Sequence, residues 1–166
     1  MGKGESNSVG AAHHRIWNQL WRWILQPCPR CDEGGVEGDG DGGIYHGYAA
    51  FVLLDIWGTW CAPCKEALSH STEEYARLKD YDIEFLYLAN QSPQESWENV
   101  IKEYNVSGDN VAHYNLPALQ QNAIERHLDV HSFPTYKLFN REGHLLDLEI
   151  DARNLDELAG LLEQME

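Results

Sequence analysis

Two pairs of cysteines with identical spacing, Cys28/Cys31 and Cys61/Cys64, are the side chains best suited to covalent chemistry in this chain. Two cysteines separated by two residues can form a disulfide and exchange it with another protein, or they can supply half of a zinc site. The spacing is the same in both pairs and does not separate these outcomes. The segments before and after each pair are therefore what indicates its chemistry.

Cys61 and Cys64 lie where a buried strand is expected to pass into a helix. Residues 50–57 form a nearly continuous apolar run, typical of a strand covered on both faces, and residues 62–79 predict a helix. A thiol at a helix N-terminus faces unpaired backbone N–H groups and the positive end of the helix dipole, and both stabilise the reactive thiolate. We therefore predict a redox-active pair in which Cys61 attacks a disulfide and Cys64, one turn later, resolves the mixed disulfide.

Asp55 is the only charged residue in the predicted strand and precedes Cys61 by six positions. Burial disfavours the charged form of a carboxyl group, so we expect the pKa of Asp55 to be raised. Strongly perturbed carboxyl groups cluster at functional sites, which makes Asp55 a candidate catalytic residue. The alternative is a carboxylate that faces solvent at the margin of the sheet.

The rest of the chain alternates between predicted strands and helices. The expected strands cover residues 83–89 and 111–114, and the expected helices cover residues 92–104 and 118–127. Ser92 is a candidate N-cap for the first of these helices, with Glu95 closing a capping box.

The C-terminal part predicts a hairpin and a last helix. Residues 136–139 and 145–150 flank a turn-like tetrapeptide, and Asn154 is placed to cap the final helix. The whole order predicts an α/β fold with a central mixed β-sheet flanked by helices on both faces.

Length and charge narrow the classes of function. The 166 residues suit one domain with an appendage, and the net charge of −15 argues against nucleic-acid binding, which needs a basic surface. The N-terminal residues are polar and rich in glycine and serine, and no apolar run is long enough for a membrane span. From these residues we expect neither a signal peptide nor a membrane anchor.

The segment from Asp55 to Glu66, DIWGTWCAPCKE, resembles the active-site region of the thioredoxin superfamily. Together with the inserted helix after the second strand, it is most similar to the TlpA/ResA-like branch of exported or membrane-tethered bacterial thiol–disulfide oxidoreductases. The resemblance covers about residues 50–164. It implies a thioredoxin-like domain over residues 48–166 and an N-terminal extension over residues 1–47.

The resemblance also implies roles for individual residues. Phe133-Pro134-Thr135 corresponds to the cis-proline loop, with Pro134 beside the cysteines and the backbone of Phe133 offered to a substrate strand. Trp60 is expected to cover the site and help dock substrates. Asp55 is expected to assist proton transfer to Cys64. The alternative for Pro134 is a trans proline that only begins a strand.

Two positions depart from the family pattern. Many TlpA/ResA-like proteins carry a glutamate three residues after the second cysteine and a proline two residues later, but this chain has Ala67 and Ser69 there. Glu66 lies one position earlier and is expected on another helix face. The acid–base network is therefore expected to rest on Asp55 alone.

The resemblance implies a protein-disulfide reductase or isomerase that needs no cofactor. Its partners would be protein disulfide or dithiol substrates and an upstream redox partner, for which a membrane thiol–disulfide transporter is one candidate. We expect a monomer in the periplasm or cell envelope, although the sequence leaves a cytoplasmic location open. The alternatives are a thiol peroxidase on the same fold and a redox-inert or metal-carrying binding module.

The N-terminal extension contains the second cysteine pair. We predict a helix over residues 14–26, which packs on the domain or binds a membrane or partner, and an acidic glycine-rich loop over residues 32–43. Three interpretations of Cys28 and Cys31 remain open. They are an accessory disulfide or relay pair, two free thiols, or half of a metal site completed by His13, His14 or His46.

Overall fold

The computed structural model describes residues 49–140 and 144–165. The predicted helix over residues 14–26, the loop over residues 32–43, the Cys28/Cys31 pair and its candidate histidines lie outside the described residues. The described part contains four strands, β1 (Phe51–Trp57), β2 (Ile83–Ala89), β3 (Val111–Tyr114) and β4 (Thr135–Asn140). It also contains five helices, α1 (Ala62–Leu68), α2 (Ser71–Leu78), α3 (Gln94–Glu103), α4 (Ala118–His127) and α5 (Leu155–Met165).

The four strands form one mixed sheet in the order β3-β2-β1-β4. β1 pairs in parallel with β2 and antiparallel with β4, and β2 pairs in parallel with β3. Parallel neighbours need a crossover, which α1 and α2 supply between β1 and β2 and α3 supplies between β2 and β3. All seven residues of β1 are buried, which explains its almost continuous apolar sequence.

Successive side chains of β1 point to opposite faces of the sheet. Phe51, Leu53 and Trp57 belong to one buried cluster that includes residues from α1, α2, α3 and α5. The intervening residues of β1 are equally buried, and they lie outside this cluster, as does Ile124 of α4. The predicted α/β thioredoxin-like fold, a central mixed sheet flanked by helices, is confirmed.

The helix predicted over residues 62–79 is divided into α1 and α2. Ser69 ends the first helix, and its hydroxyl donates a hydrogen bond of 2.6 Å to the carbonyl oxygen of Glu66. A serine hydroxyl that bonds to the backbone in this way competes with the helical pattern and bends helices. The break therefore falls where many family members have a proline, although this chain has none there.

The predicted hairpin is only partly formed. Leu145 makes an isolated antiparallel bridge with Phe139, and Leu146 donates a backbone hydrogen bond to Leu138 at 2.8 Å. The Leu148 amide then bonds to the carbonyl of Leu146, so the chain turns before a second strand can extend. The strand predicted over residues 145–150 is therefore wrong, and its apolar residues pack on the core from an irregular segment.

The cap predicted for the last helix is confirmed. The side chain of Asn154 accepts from the Glu157 amide at 3.5 Å, and its Nδ2 donates to the Glu157 carboxylate at 2.7 Å. Within residues 49–140 and 144–165, none of the helices has the length and apolar character that crossing a bilayer requires.

Candidate active site

Cys61 and Cys64 form a disulfide at the N-terminus of α1, with the sulfur atoms 2.08 Å apart and the Cα atoms 5.2 Å apart. Cys61 occupies the N-cap position, and the Cys64 backbone N–H donates to the Cys61 sulfur at 3.2 Å. Both residues are buried, Cys64 more deeply, at 1% exposure against 5% for Cys61. An amide aimed at the Cys61 sulfur stabilises negative charge there once the disulfide is opened.

A tight turn carries the chain from β1 to Cys61. The Cys61 amide bonds to the carbonyl of Gly58 at 3.0 Å, and the indole of Trp60 folds over that glycine. A Cβ atom on Gly58 would come within 2.6 Å of the Trp60 Nε1 atom, so only glycine leaves room for the indole. Trp60 nevertheless keeps 56% of its surface exposed.

Asn90 and Ser92, which follow β2, brace this turn. The Asn90 amide bonds to the Trp57 carbonyl, and the Asn90 carbonyl accepts from Trp60 Nε1 at 3.1 Å. Ser92 Oγ accepts from the Thr59 amide at 3.0 Å and donates to the Asn90 carbonyl at 2.9 Å.

The capping box predicted for Ser92 and Glu95 is wrong. Helix α3 begins at Gln94 without a side-chain cap, because the Ser92 hydroxyl is committed to the turn. The sequence signal for the role of Ser92 lies in the strand order. Parallel neighbours such as β1 and β2 bring their carboxyl ends, and the residues just after them, to the same edge of the sheet.

The Phe133-Pro134-Thr135 segment lies beside the same edge. The Phe133–Pro134 peptide bond is cis, and Thr135 pairs with Ile56 near the end of β1. The ring of Phe133 meets the Trp60 indole edge to face, with centroids 5.2 Å apart. The structure thus brings Trp60, Phe133 and Pro134 together at the exposed side of the cysteine turn, which we call the rim.

Asp55 is buried in β1, on the face of the sheet that carries the cluster containing Cys64. It pairs across the sheet with Tyr87 of β2 and Tyr136 of β4, so these three side chains share one face. The two tyrosines belong to the same buried cluster as Cys64. We call the side of the cysteines formed by Asp55, Tyr87 and Tyr136 the underside.

The carboxyl group of Asp55 is strongly perturbed. Burial raises its pKa well above the usual range, and the nearby charge of Glu74 raises it further. Its Oδ1 atom has no hydrogen-bond partner among the described residues. A solvent-facing Asp55 is therefore excluded, since the residue is only 7% exposed.

Glu74 is a second acidic group on the underside, which the sequence did not predict. It lines, with Asp55, Ala67, Tyr87 and Tyr136, a cavity of about 780 Å³ that opens to solvent between α1, α2 and the start of α5. Burial raises the pKa of Glu74 to about 7, and an interaction with the Tyr87 hydroxyl partly opposes that increase.

Asp55 is therefore not the only perturbed carboxyl group at this cavity, and a role for Glu74 in the acid–base network is proposed below. Glu74 could not be distinguished in the sequence, because the residues around it are typical of an exposed, charged helix. The available signal was helical spacing, because Ser71, Glu74 and Leu78 lie on one stripe of α2 and both flanking residues are buried.

His131 is exposed and pairs with Asp129 at 2.9 Å. In the part of the chain that the structure describes, no group of three or more histidine, cysteine or acidic side chains is arranged to hold a metal ion.

Comparison with known sequences agrees with this geometry. A family model described as thioredoxin-like matches residues 50–145, more than half of the chain. The chain belongs to the thioredoxin-like family. Its similarity to curated ResA proteins supports a TlpA/ResA-like member of the thioredoxin superfamily.

The curated relatives include ResA proteins, each named a thiol-disulfide oxidoreductase. That of Bacillus cereus (strain ZK / E33L) is 24% identical over 114 residues, covering 69% of this chain and 62% of the relative. That of Bacillus subtilis (strain 168) is 28% identical over 95 residues, covering 57% of this chain and 50% of the relative. This chain thus spans between half and two thirds of the length of these relatives.

Solved structures share the fold at low sequence identity. The thioredoxin domain of a thiol-disulfide oxidoreductase from Bacteroides vulgatus aligns with a TM-score of 0.57 and 19% identity, covering 69% of this chain and 80% of that domain. A secreted disulfide oxidoreductase from Mycobacterium tuberculosis aligns with a TM-score of 0.52 and 16% identity, covering 69% of this chain and 81% of that protein.

Proposed function

We propose that this chain is a thiol–disulfide oxidoreductase that acts on protein substrates as a reductase or isomerase through Cys61 and Cys64. The observation that carries the proposal is the disulfide at the N-terminus of α1, with the cis Phe133–Pro134 segment and Trp60 on its exposed side.

The reaction needs only the two cysteines to change oxidation state. In the reduced protein the Cys61 thiolate attacks a substrate disulfide, forms a mixed disulfide and releases the first substrate sulfur as a thiolate. Cys64 then loses its proton and attacks Cys61, which forms the Cys61–Cys64 disulfide and releases the second substrate thiolate. Two electrons pass from the protein to the substrate, and both released thiolates take up protons.

Asp55 is the proposed proton carrier for Cys64. Neutral Asp55 gives its proton to the Cys64 sulfur when the disulfide is opened, and the carboxylate takes that proton back when Cys64 resolves the mixed disulfide. Support comes from the burial of Asp55 and from its raised pKa, since burial favours the protonated form of the carboxyl group.

The rim is the proposed substrate-docking surface. The exposed Trp60 and the half-buried Phe133 offer an aromatic pair, and the backbone around Phe133, Pro134 and Thr135 offers hydrogen bonds to an extended peptide. Substrates are therefore proposed to be extended or locally unfolded segments of proteins that carry a disulfide.

An external dithiol partner must reset the Cys61–Cys64 disulfide after each turnover. A membrane thiol–disulfide transporter is our proposed partner, and an envelope location facing the periplasm is our proposed compartment. The TlpA/ResA-like branch and a structural relative described as secreted support this location. The proposed state of the protein is a monomer.

The proposal is tested by reduction of insulin disulfides with dithiothreitol as the resetting thiol. We expect the wild-type chain to accelerate the reaction and Cys61→Ser to abolish the acceleration, because the attacking thiolate is gone. A Cys28→Ser/Cys31→Ser variant is the control and is expected to keep the activity. If Cys61→Ser reduced insulin at the wild-type rate, the proposed function would be wrong.

A further inference from the structure

We propose that Glu74 relays protons between Asp55 and solvent through the cavity that both residues line, an inference that rests on the proposed function. Asp55 is almost fully buried, so a proton it exchanges with Cys64 must reach water by some path. The cavity offers that path, because it is lined by Asp55 at its inner end and opens to solvent beside α2.

Glu74 lines this cavity together with Asp55 and is itself half-buried. Its charge acts directly on Asp55, and it also interacts with the Tyr87 hydroxyl, which bonds to the Tyr75 hydroxyl at 2.9 Å. Tyr136 is another buried titratable side chain of the wall. The solvent-exposed charged or titratable side chains form the mouth of the cavity: Glu66, His70, Glu73, Arg77, Arg153 and Asp156.

The cations at the mouth are engaged with other groups. Arg77 pairs with Asp156 at 3.3 Å, and Arg153 pairs with Asp151 at 2.6 Å. Neither arginine contributes to the pKa of Glu74, which is set by burial and by Tyr87. A carboxyl group that titrates near neutral pH can both take up and release a proton under ordinary conditions, which a relay requires.

The proton balance of the resolving step is then complete. The Cys64 thiol gives its proton to the Asp55 carboxylate, and the Cys64 thiolate attacks the Cys61 sulfur while the substrate thiolate leaves with the electron pair. Protonated Asp55 passes the proton to the Glu74 carboxylate, which releases it to water at the mouth of the cavity. The substrate thiolate takes up one proton from water, so no net proton is consumed.

Helix α1 supplies only an exposed carboxyl group, Glu66, at the mouth of the cavity. Ala67 of α1 lines the same cavity with a methyl group, in the position where many family members carry a glutamate. Glu74 belongs to α2, after the break at Ser69, and places a half-buried carboxyl group on the cavity wall from a different helix. It acts through Asp55 and not on sulfur.

The test follows the reaction of the reduced protein with Ellman's reagent in a stopped-flow instrument. Cys28 and Cys31 are replaced by serine in every protein of the series, so that only the active pair reports. The first release of coloured thiolate reports attack by Cys61, and the second reports resolution by Cys64. We expect Glu74→Gln to slow the second release roughly tenfold near neutral pH and to leave the first unchanged, a smaller effect than direct acid–base catalysis gives.

Two further measurements separate a relay from a structural role. Glu74→Asp keeps a carboxyl group and is expected to recover most of the rate. Acetate added at constant ionic strength is expected to accelerate the second release in Glu74→Gln and not in the wild type, because a small carboxylate can enter the open cavity. Glu73→Gln, with the same charge change on a side chain 74% exposed, is expected to leave both releases unchanged.

The relay is wrong if the second release in Glu74→Gln equals that of the wild type, or if acetate and Glu74→Asp restore nothing. It is equally wrong if Glu73→Gln slows resolution as much as Glu74→Gln does, since the effect would then be one of general charge. The proposed function fails separately, through the absence of insulin reduction by the unmodified protein. If the unmodified protein reduces insulin and Glu74→Gln shows the wild-type rate of second release, only the relay is wrong.

Discussion

The two sides of the Cys61–Cys64 disulfide are built from different chemistry. The rim is aromatic and partly exposed, and hydrogen bonds to the Asn90 carbonyl and the Ser92 hydroxyl hold its turn. The underside is buried and acidic, and Asp55 keeps an oxygen without a hydrogen-bond partner among the described residues. The rim can contact a macromolecule and cannot store a proton, whereas the underside can store a proton and cannot contact a macromolecule.

This difference indicates a division of labour. Substitutions on the underside should change rates of proton-coupled steps for every substrate, including small disulfides. Substitutions on the rim should change the recognition of proteins and leave small disulfides unaffected. Each prediction below tests one side of the comparison, beginning with the largest expected effect.

Asp55→Asn is expected to slow resolution by Cys64 about a hundredfold at neutral pH, because the isosteric amide cannot carry the proton. Attack by Cys61 on Ellman's reagent should proceed at the wild-type rate, measured as the first release in the Cys28→Ser/Cys31→Ser background. Asp80→Asn removes the same charge from an exposed position and is the control. Unchanged resolution in Asp55→Asn would remove the underside from the mechanism.

Glu74→Gln is expected to make the folded protein more stable above neutral pH. The folded protein holds the Glu74 proton up to about pH 7, whereas the unfolded chain releases it near pH 4.5, so wild-type stability falls as the pH rises between these values. The full shift corresponds to about 3 kcal/mol, and we expect about 2 kcal/mol because the side chain is partly exposed.

Urea unfolding of the oxidised proteins at several pH values measures this difference. Glu74→Gln should unfold at higher urea concentration than the wild type at pH 8 and at a similar concentration at pH 4.5. Glu73→Gln should follow the wild type throughout. Parallel curves for Glu74→Gln and the wild type over this range would mean that Glu74 is not buried as described.

Trp60→Ala is expected to raise the KM for insulin by about fivefold to tenfold, because an interfacial aromatic side chain commonly contributes about 1 kcal/mol or more to binding. Both releases from Ellman's reagent should be unchanged, since the small disulfide does not use the rim. Leu119→Ala, a change at another exposed apolar residue, is the control. An equal loss with both substrates would show that Trp60 supports the cysteine turn and not docking.

Most of the fold and several residues of the site could be predicted from the sequence. The strands were evident from short apolar runs, and β3 and α4 formed with the predicted bounds. Cys61, Cys64 and Asp55 stood out because each is chemically unusual in its local segment.

What the sequence could not predict depends on contacts between distant elements. Glu74 looks like any charged helical residue until α2 is packed on the sheet, and Ser92 looks like a helix cap until β2 is placed beside β1. The prediction of a second hairpin strand was also wrong because the local pattern does not fix the tertiary contacts. The alternating apolar residues Leu146, Leu148 and Ile150 can pack on a core equally well from an irregular segment.

The most direct test of the central claim is to trap the mixed disulfide with a disulfide-bonded substrate peptide and analyse it by mass spectrometry. In the Cys28→Ser/Cys31→Ser background, reduced Cys64→Ser should accumulate a peptide linked through Cys61, and reduced Cys61→Ser should form no comparable adduct. Adducts through Cys64 in the Cys61→Ser protein, at the rate seen for Cys61, would contradict the assignment of attacking and resolving cysteines.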